Sequence, residues 1–330
     1  MKKTLFAIFA AASLLACSKS QVIETLTPEA IAFDNAFVDN ATKSNDAFTI
    51  TTNDLKEFQV YGTTQGDEDG STLVPIFDYV TVQLDGAWKY ADNYTQYWVN
   101  GNTYNFAAVV NVDKGNVELE AGVPAKITCD VTEQKDILFA ANAYGKYTKG
   151  TSATTVPFTF NHLLSKAFFT FKNNMTTNSA NNQYTYRVTD IKINGAAKVA
   201  TGTVAGAWDA ATDRYDVEFG NITKTFSGTY KGEATLIGAV GAADESTSLE
   251  SRLMIPQVNA PLNITCKIET LLNGSVIDVE NYSTDITKTL EAGKVYNFIL
   301  AKSNPGDKIE FTVTTVTAWD ETHENYNQNL

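Results

Sequence analysis

The chain has 330 residues and a formal net charge of −13, with 38 Asp and Glu against 25 Lys and Arg. So negative a surface repels phosphate, which argues against nucleic acid as a partner and suits a body kept in solution by its charge. Histidine is confined to His162 and His323, a poor supply for a hydrolase triad or a catalytic zinc site.

At the start of the chain, Lys2 and Lys3 precede an apolar stretch over residues 5–16. It is too short for a permanent membrane helix and reads as a signal peptide. Leu14-Leu15-Ala16-Cys17 sets a leucine three residues, and a small residue one residue, before a cysteine, which is the pattern of a lipobox. Residues 1–17 are therefore expected to be a lipoprotein signal, with the Cys17 thiol as the lipidation point and Cys17 as the new N-terminus. The buried methylenes of the attached lipid would tether a soluble body to a membrane. After Cys17 no apolar run is long enough for a second span. Residues 18–43 read as a propeptide-like segment: Ile31-Ala32-Phe33 is a short strand, and the polar stretch that follows, Asp39-Asn40-Ala41-Thr42-Lys43-Ser44, is expected to be exposed and cleavable.

From there on, Tyr, Phe, Thr and Val recur with period two, as in Phe58-Gln59-Val60-Tyr61, Ala167-Phe168-Phe169-Thr170-Phe171 and Ile309-Glu310-Phe311-Thr312-Val313. This is the pattern of strands. Hairpin turns are expected at Gly66-Asp67-Glu68-Asp69-Gly70, Asp85-Gly86, Asn100-Gly101, Asn194-Gly195 and Asn273-Gly274. Many short strands without βαβ alternation predict an all-β chain built of sandwiches. The length after the signal favours two domains. Their seam is expected in the small, polar stretch 147–156, which gives an N-terminal β-sandwich over residues 44–150 and a C-terminal one over residues 151–330.

Candidate chemistry is sparse. His162 lies among apolar neighbours and is expected to be packed at a core edge, and the 67–69 acidic run to be a solvated turn, since it lacks the loop and distal glutamate of an EF-hand. Cys129 and Cys266 sit mid-strand in different halves and are expected to be separate buried thiols. Trp88, Tyr90, Tyr94, Tyr97 and Trp98 could stack on sugars, but their spacing fits a core-facing use as well. No carboxylate pair, cofactor-binding loop or metal site can be nominated.

In order along the chain, the lipobox, Ile31-Ala32-Phe33, Phe58-Gln59-Val60-Tyr61-Gly62, Trp88-Lys89-Tyr90, Tyr97-Trp98 and Tyr104-Asn105-Phe106 are followed by Phe160-Asn161-His162-Leu163-Leu164-Ser165-Lys166, Leu253-Met254-Ile255-Pro256-Gln257, Gly293-Lys294-Val295-Tyr296-Asn297-Phe298 and Val316-Thr317-Ala318-Trp319. Jointly they resemble the fimbrillin family, the subunits of the lipoprotein-derived type V pili of anaerobic Gram-negative bacteria. The resemblance implies two transthyretin-like β-sandwich domains in tandem and no enzymatic activity or cofactor. It further implies export to the outer membrane as a lipoprotein, trimming by a protease, and polymerisation with other fimbrial subunits by strand exchange at the cell surface. A host or bacterial surface ligand would then be a further partner. Carried onto this chain, trimming by a trypsin-like protease falls between Lys43 and Ser44. The chain departs from the family pattern in two places. Ser18-Lys19-Ser20 lacks the acidic pair of surface-export signals, and the tail over residues 320–330 is short and polar for a donor strand. The competing reading is a lipid-anchored surface glycan-binding protein of a nutrient-uptake system, and a third is an anchored glycan hydrolase. Trp319, closing the run from Ile309, is expected to pack in the second half.

Overall fold

The computed structural model describes residues 28–39, 50–66, 72–173, 184–204, 217–229, 234–237, 245–248 and 252–316. Among them there is no α-helix, only strands and two three-residue 3-10 turns. The first half contributes β1 (Ala32–Val38), β2 (Glu57–Gln65), β3 (Val74–Asp85), β4 (Ala87–Lys89), β5 (Thr103–Val110), β6 (Val117–Glu120), β7 (Val123–Asp130), β8 (Leu138–Lys146) and β9 (Thr155–His162). The second contributes β10 (Ser165–Asn173), β11 (Tyr184–Val204), β12 (Val217–Thr229), β13 (Ala234–Ile237), β14 (Glu245–Ser248), β15 (Arg252–Met254), β16 (Gln257–Leu272), β17 (Ser275–Leu290), β18 (Val295–Lys302) and β19 (Glu310–Val316).

Three sheets result. One runs β1-β9-β8-β5-β2-β3-β4, the second runs β14-β10-β18-β19 with β15 also on β10, and the third runs β17-β16-β11-β7-β6 with β12 and β13 also on β11. The stretch expected as a seam leads into β9, and β9 adds to the first sheet between β1 and β8. The third sheet takes strands from both sides of residue 150, because β7 pairs antiparallel with the C-terminal part of β11, Val199 opposite Asp130 through Thr203 opposite Lys126.

The period-two pattern explains how these layers stack. Along β5, Tyr104, Phe106, Ala108 and Val110 enter one cluster with Phe58, Phe77, Phe158 and Phe160. The alternate residues Ala107 and Val109 enter another with Tyr61, Phe139, Leu253 and Val295. Successive side chains of a strand leave by opposite faces, so a strand apolar at every position must be covered on both. β10 repeats this: Phe168 joins the shared cluster, while Ala167, Phe169 and Phe171 meet Tyr186, Ile264 and Phe298 in a third. Each such ring or branched chain withdrawn from water is worth about 1.5–3 kcal/mol. The run expected around Ile309 forms β19, with Ile309, Phe311 and Val313 packed against this third cluster. Trp319 lies outside the described residues.

Turn chemistry decides two contrasting sites. Asn273 and Gly274, at φ 49° and 82°, join β16 to β17 with Leu272 opposite Ser275, as a two-residue hairpin turn demands. Asn194-Gly195, with the same residue types, is not a hairpin turn: it lies within β11. There the register with β12 slips between Ile193 and Ala196, and β11 exchanges β16 for β7 as its neighbour. Gly195 has φ 85°, and a Cβ on it would stand 2.4 Å from the Pro261 carbonyl oxygen. The glycine serves a bulge and a close backbone approach, two further uses of its conformational freedom. Gly195→Ala is accordingly expected to cost more than about 1 kcal/mol, from strain at positive φ and a forced shift of Pro261, measured by urea unfolding.

Cys129 in β7 and Cys266 in β16 are buried free thiols, in accord with the sequence, and burial pushes both up to about 12. Thiols so protonated are poor nucleophiles.

Candidate functional site: an edge strand and its groove

β1 is the first sheet's terminal strand, joined to β9 in parallel with Phe33 opposite Val156 and Val38 opposite Phe160. Its sequence would bury alternate residues only as far as Phe33, but Ile31, Phe33, Ala36 and Val38 are all buried. A bulge between Asp34 and Phe37 reconciles them: Asn35 takes φ 50°, and its N–H donates to the Asp34 carboxyl at 2.7 Å. One extra residue resets the phase, so the apolar side chains on both sides of it point inward.

Phe33 is the centre of the plug. Its ring lies 5.5–6.2 Å, centroid to centroid, from Phe58, Phe77, Tyr90, Phe106 and Phe158. These rings come from β2, β3, β5, β9 and the residue after β4, so the strand sits where the two ends of a curled sheet meet. Its start is tied to the second of those ends. Ala30 bridges Tyr97, the Ile31 N–H donates to the Gln96 carbonyl at 2.8 Å, and the Trp98 N–H donates to the Glu29 carbonyl at 2.9 Å. The Tyr90 hydroxyl donates to the Ile31 carbonyl at 2.6 Å. The Tyr147 hydroxyl donates to the Glu29 carboxylate, and burial together with that carboxylate pushes it up to about 12.

The far end of β1 is held as well. The Asp39 N–H donates to the Phe160 carbonyl at 2.8 Å and the Val38 N–H to Thr52 Oγ1 at 3.0 Å. On the other side of residues 40–49, the Ile50 N–H donates to Asp136 Oδ2 at 3.0 Å. The same oxygen meets His162 Nδ1 at 2.8 Å, and both side chains are buried. A carboxyl oxygen facing two N–H groups fixes which ring nitrogen carries the hydrogen. Chain entry and exit on either side of the 40–49 stretch are thus anchored to one corner of the first sheet.

Of the residues singled out from sequence, Cys17, Lys43 and Ser44 lie outside the described residues, as do Asp67-Glu68-Asp69. His162 is the packed core-edge residue its neighbours predict. Trp88, Tyr90 and Trp98 pack into the core of the first half, while Tyr94 and Tyr97 are half exposed. Sequence reasoning missed Asp136, whose one signal is an acid placed directly before the apolar run Ile137-Leu138-Phe139. Among the described residues, no group of three His, Cys, Asp or Glu side chains is placed to hold a metal ion.

Comparison with known proteins bears on this architecture. A fimbrial protein of Bacteroides vulgatus superposes with a TM-score of 0.60 at 13% identity, over 88% of this chain and 99% of its own. A candidate cell-adhesion protein of Bacteroides uniformis gives 0.48 at 17% identity, over 88% of this chain and 100% of its own. A fimbrial assembly protein of Parabacteroides distasonis gives 0.43 at 12%, over 87% and 100%. No curated protein matches. At these identities the first likeness establishes a shared fold and nothing more. The sequence pattern of one family, Fimbrillin-like, matches residues 37–319, running from the end of β1 past the end of β19. Since that match takes in most of the chain and nearly every strand described above, this protein belongs to the Fimbrillin-like family.

Proposed function

We infer that the chain is a structural and adhesive subunit of a cell-surface fimbria, exported as a lipoprotein on Cys17, trimmed between Lys43 and Ser44, and polymerised by strand exchange. The observation that carries this reading is the placement of β1. With Ile31 just before it, it supplies four buried apolar side chains to the first core, yet among the described residues it pairs along its length with β9 alone, and it lies wholly upstream of Lys43. A single cut there would release lipid and strand together. What remains is an apolar groove lined by Phe58, Phe77, Phe106 and Phe158, with an unpaired edge on β9. Such an edge takes up a strand from another chain, which restores both the ladder hydrogen bonds and the buried face.

On this reading the two halves are tandem transthyretin-like sandwiches over residues 44–150 and 151–330, with β9 reaching back to complete the first. The subunit resides at the outer membrane until trimmed and in the fimbrium afterwards. Its partners are other fimbrial subunits and the processing protease. Membership of the Fimbrillin-like family and the fold shared with a fimbrial protein support the assignment. Trp98 is buried, and Trp88 and Tyr90 are partly buried against the first core, which weakens the aromatic platform that the glycan-uptake alternative would use.

Lys43→Ala tests the mechanism. Wild-type surface material should begin at Ser44 by N-terminal sequencing and run as detergent-resistant, heat-labile ladders. The variant should stay monomeric and keep its lipid. Undiminished ladders from subunits that retain residues 18–43 would overturn it.

A further inference from the structure

A second feature of the first half is unrelated to β1. Between the β3 bulge, the 111–116 connection, the end of β7 and the 132–137 connection lies an open cleft of about 650 Å³. That is the size of sites that take small molecules. Its rim carries Gln59, Asn116, Asp113 and Thr128 from the first half and Lys198 from β11, with Val112 and Ile137 at its base.

The backbone around the cleft is held in costly conformations. Tyr79 has φ 61°, Asn111 φ 57° and Gln134 φ 52°. Tyr79 is the extra residue of a bulge, since Val60 faces Val80 while Tyr61 faces Asp78. A bulky residue in the left-handed region persists only when its surroundings hold it there, and bulges commonly re-aim a side chain beside a working site. Here the Tyr79 hydroxyl donates to the Val112 carbonyl at 2.6 Å, and its ring lies 5.9 Å from that of Tyr61, which sets the aromatic side chain along the cleft wall. Asn111 is fixed by its Nδ2 donating to the Asp136 carbonyl at 2.8 Å, and Asp130 by accepting the Thr132 N–H at 2.8 Å.

The lining chemistry selects the ligand. Apolar surface is confined to the base, which disfavours a lipid or a hydrophobic peptide. Asp113, Asp130 and Glu133 outnumber Lys135 and Lys198, and Lys135 is engaged with Glu133 at 2.7 Å, which disfavours phosphate, sulfate or any polyanion. What suits oriented amides, hydroxyls and carboxylates beside an aromatic ring is a ligand bearing many uncharged hydroxyls on a compact ring. We propose that this cleft is a docking site for neutral oligosaccharide, a surface-recognition function separate from subunit assembly and independent of how the subunits polymerise.

The test uses the full chain beginning at residue 18, titrated calorimetrically with neutral di- to tetrasaccharides and, in a separate arm, with a sulfated oligosaccharide. Asp113→Ala and Asn116→Ala are exposed changes that leave the core untouched. Tyr79→Gly keeps a residue at ease at positive φ and removes the ring together with its hydroxyl bond to the Val112 carbonyl. Expected are binding of at least one neutral saccharide, a loss of at least about tenfold in affinity in each variant with unfolding midpoints retained for the two exposed changes, and no binding of the sulfated probe. Absence of neutral binding, binding that the three variants leave unchanged, or preference for the sulfated probe would each overturn the assignment.

Discussion

Phe33→Ala is expected to lower the stability of the chain that still carries β1 by about 3–5 kcal/mol, the range for truncating a large ring in a packed core. The ring is 3% exposed and meets five other aromatic rings drawn from across the first sheet. The void left by its loss has walls of phenyl edges on rigid strands, which cannot collapse to fill it. Urea unfolding of the protein starting at residue 18 measures the effect. A loss below about 1 kcal/mol would mean that β1 is laid on the sheet rather than built into it. The same substitution separates the two states of the subunit. Chains trimmed at Lys43 and refilled by another strand no longer contain residue 33, so ladders formed from variant and wild-type precursors should melt alike. A difference between them would count against the removal of β1.

Asp136→Ala should cost about as much by a different route, about 3–5 kcal/mol, because it breaks a buried hydrogen-bonded pair and leaves the survivors unsolvated. Asp136 and His162 are buried, and Asp136 Oδ2 also accepts the Ile50 N–H. Without the carboxyl, that backbone donor and the His162 Nδ1 hydrogen are left without their acceptor in a place water cannot replace it. Asp136→Asn retains one acceptor oxygen and should lose roughly half as much, since a hydrogen bond to a charged group is worth about 1.5–3 kcal/mol and one to a neutral group less. Equal losses from both substitutions in thermal unfolding would show that charge rather than hydrogen-bond geometry matters at this corner. The anchor has a consequence for maturation. Ile50 lies only six residues beyond Ser44, so the start of a trimmed chain would remain pinned to the first sheet while β1 departs.

The class of the fold was legible in residue order alone, because a strand's side chains alternate between faces whatever it packs against. Phe58-Gln59-Val60-Tyr61, Ala167-Phe168-Phe169-Thr170-Phe171 and Ile309-Glu310-Phe311-Thr312-Val313 all lie in or at the edge of strands, at β2, β10 and β19. Asn273-Gly274 turns as its residue types require, since both positions need positive φ and nothing else nearby competes. The packed His162 followed from its apolar neighbours, and the buried, separate thiols from their mid-strand positions in different halves of the chain. Family membership could be anticipated from the order of short aromatic motifs, and the Fimbrillin-like match bears it out.

Tertiary structure decided what depends on partners distant in sequence. Asn194-Gly195 carries the same local signal as Asn273-Gly274, but the carbonyl of Pro261 and the handover from β16 to β7 make it a bulge inside one long strand. The pattern of β1 gave no hint of the extra residue at Asn35, because a bulge is set by the register against β9 and not by propensity. The Asp136–His162–Ile50 corner joins groups 86 and 26 residues apart, and the Tyr79 cleft is closed by Lys198, far along the chain. Local propensity acts over a few residues, whereas each of these features exists only once chain folding has paid the entropy of bringing remote segments together.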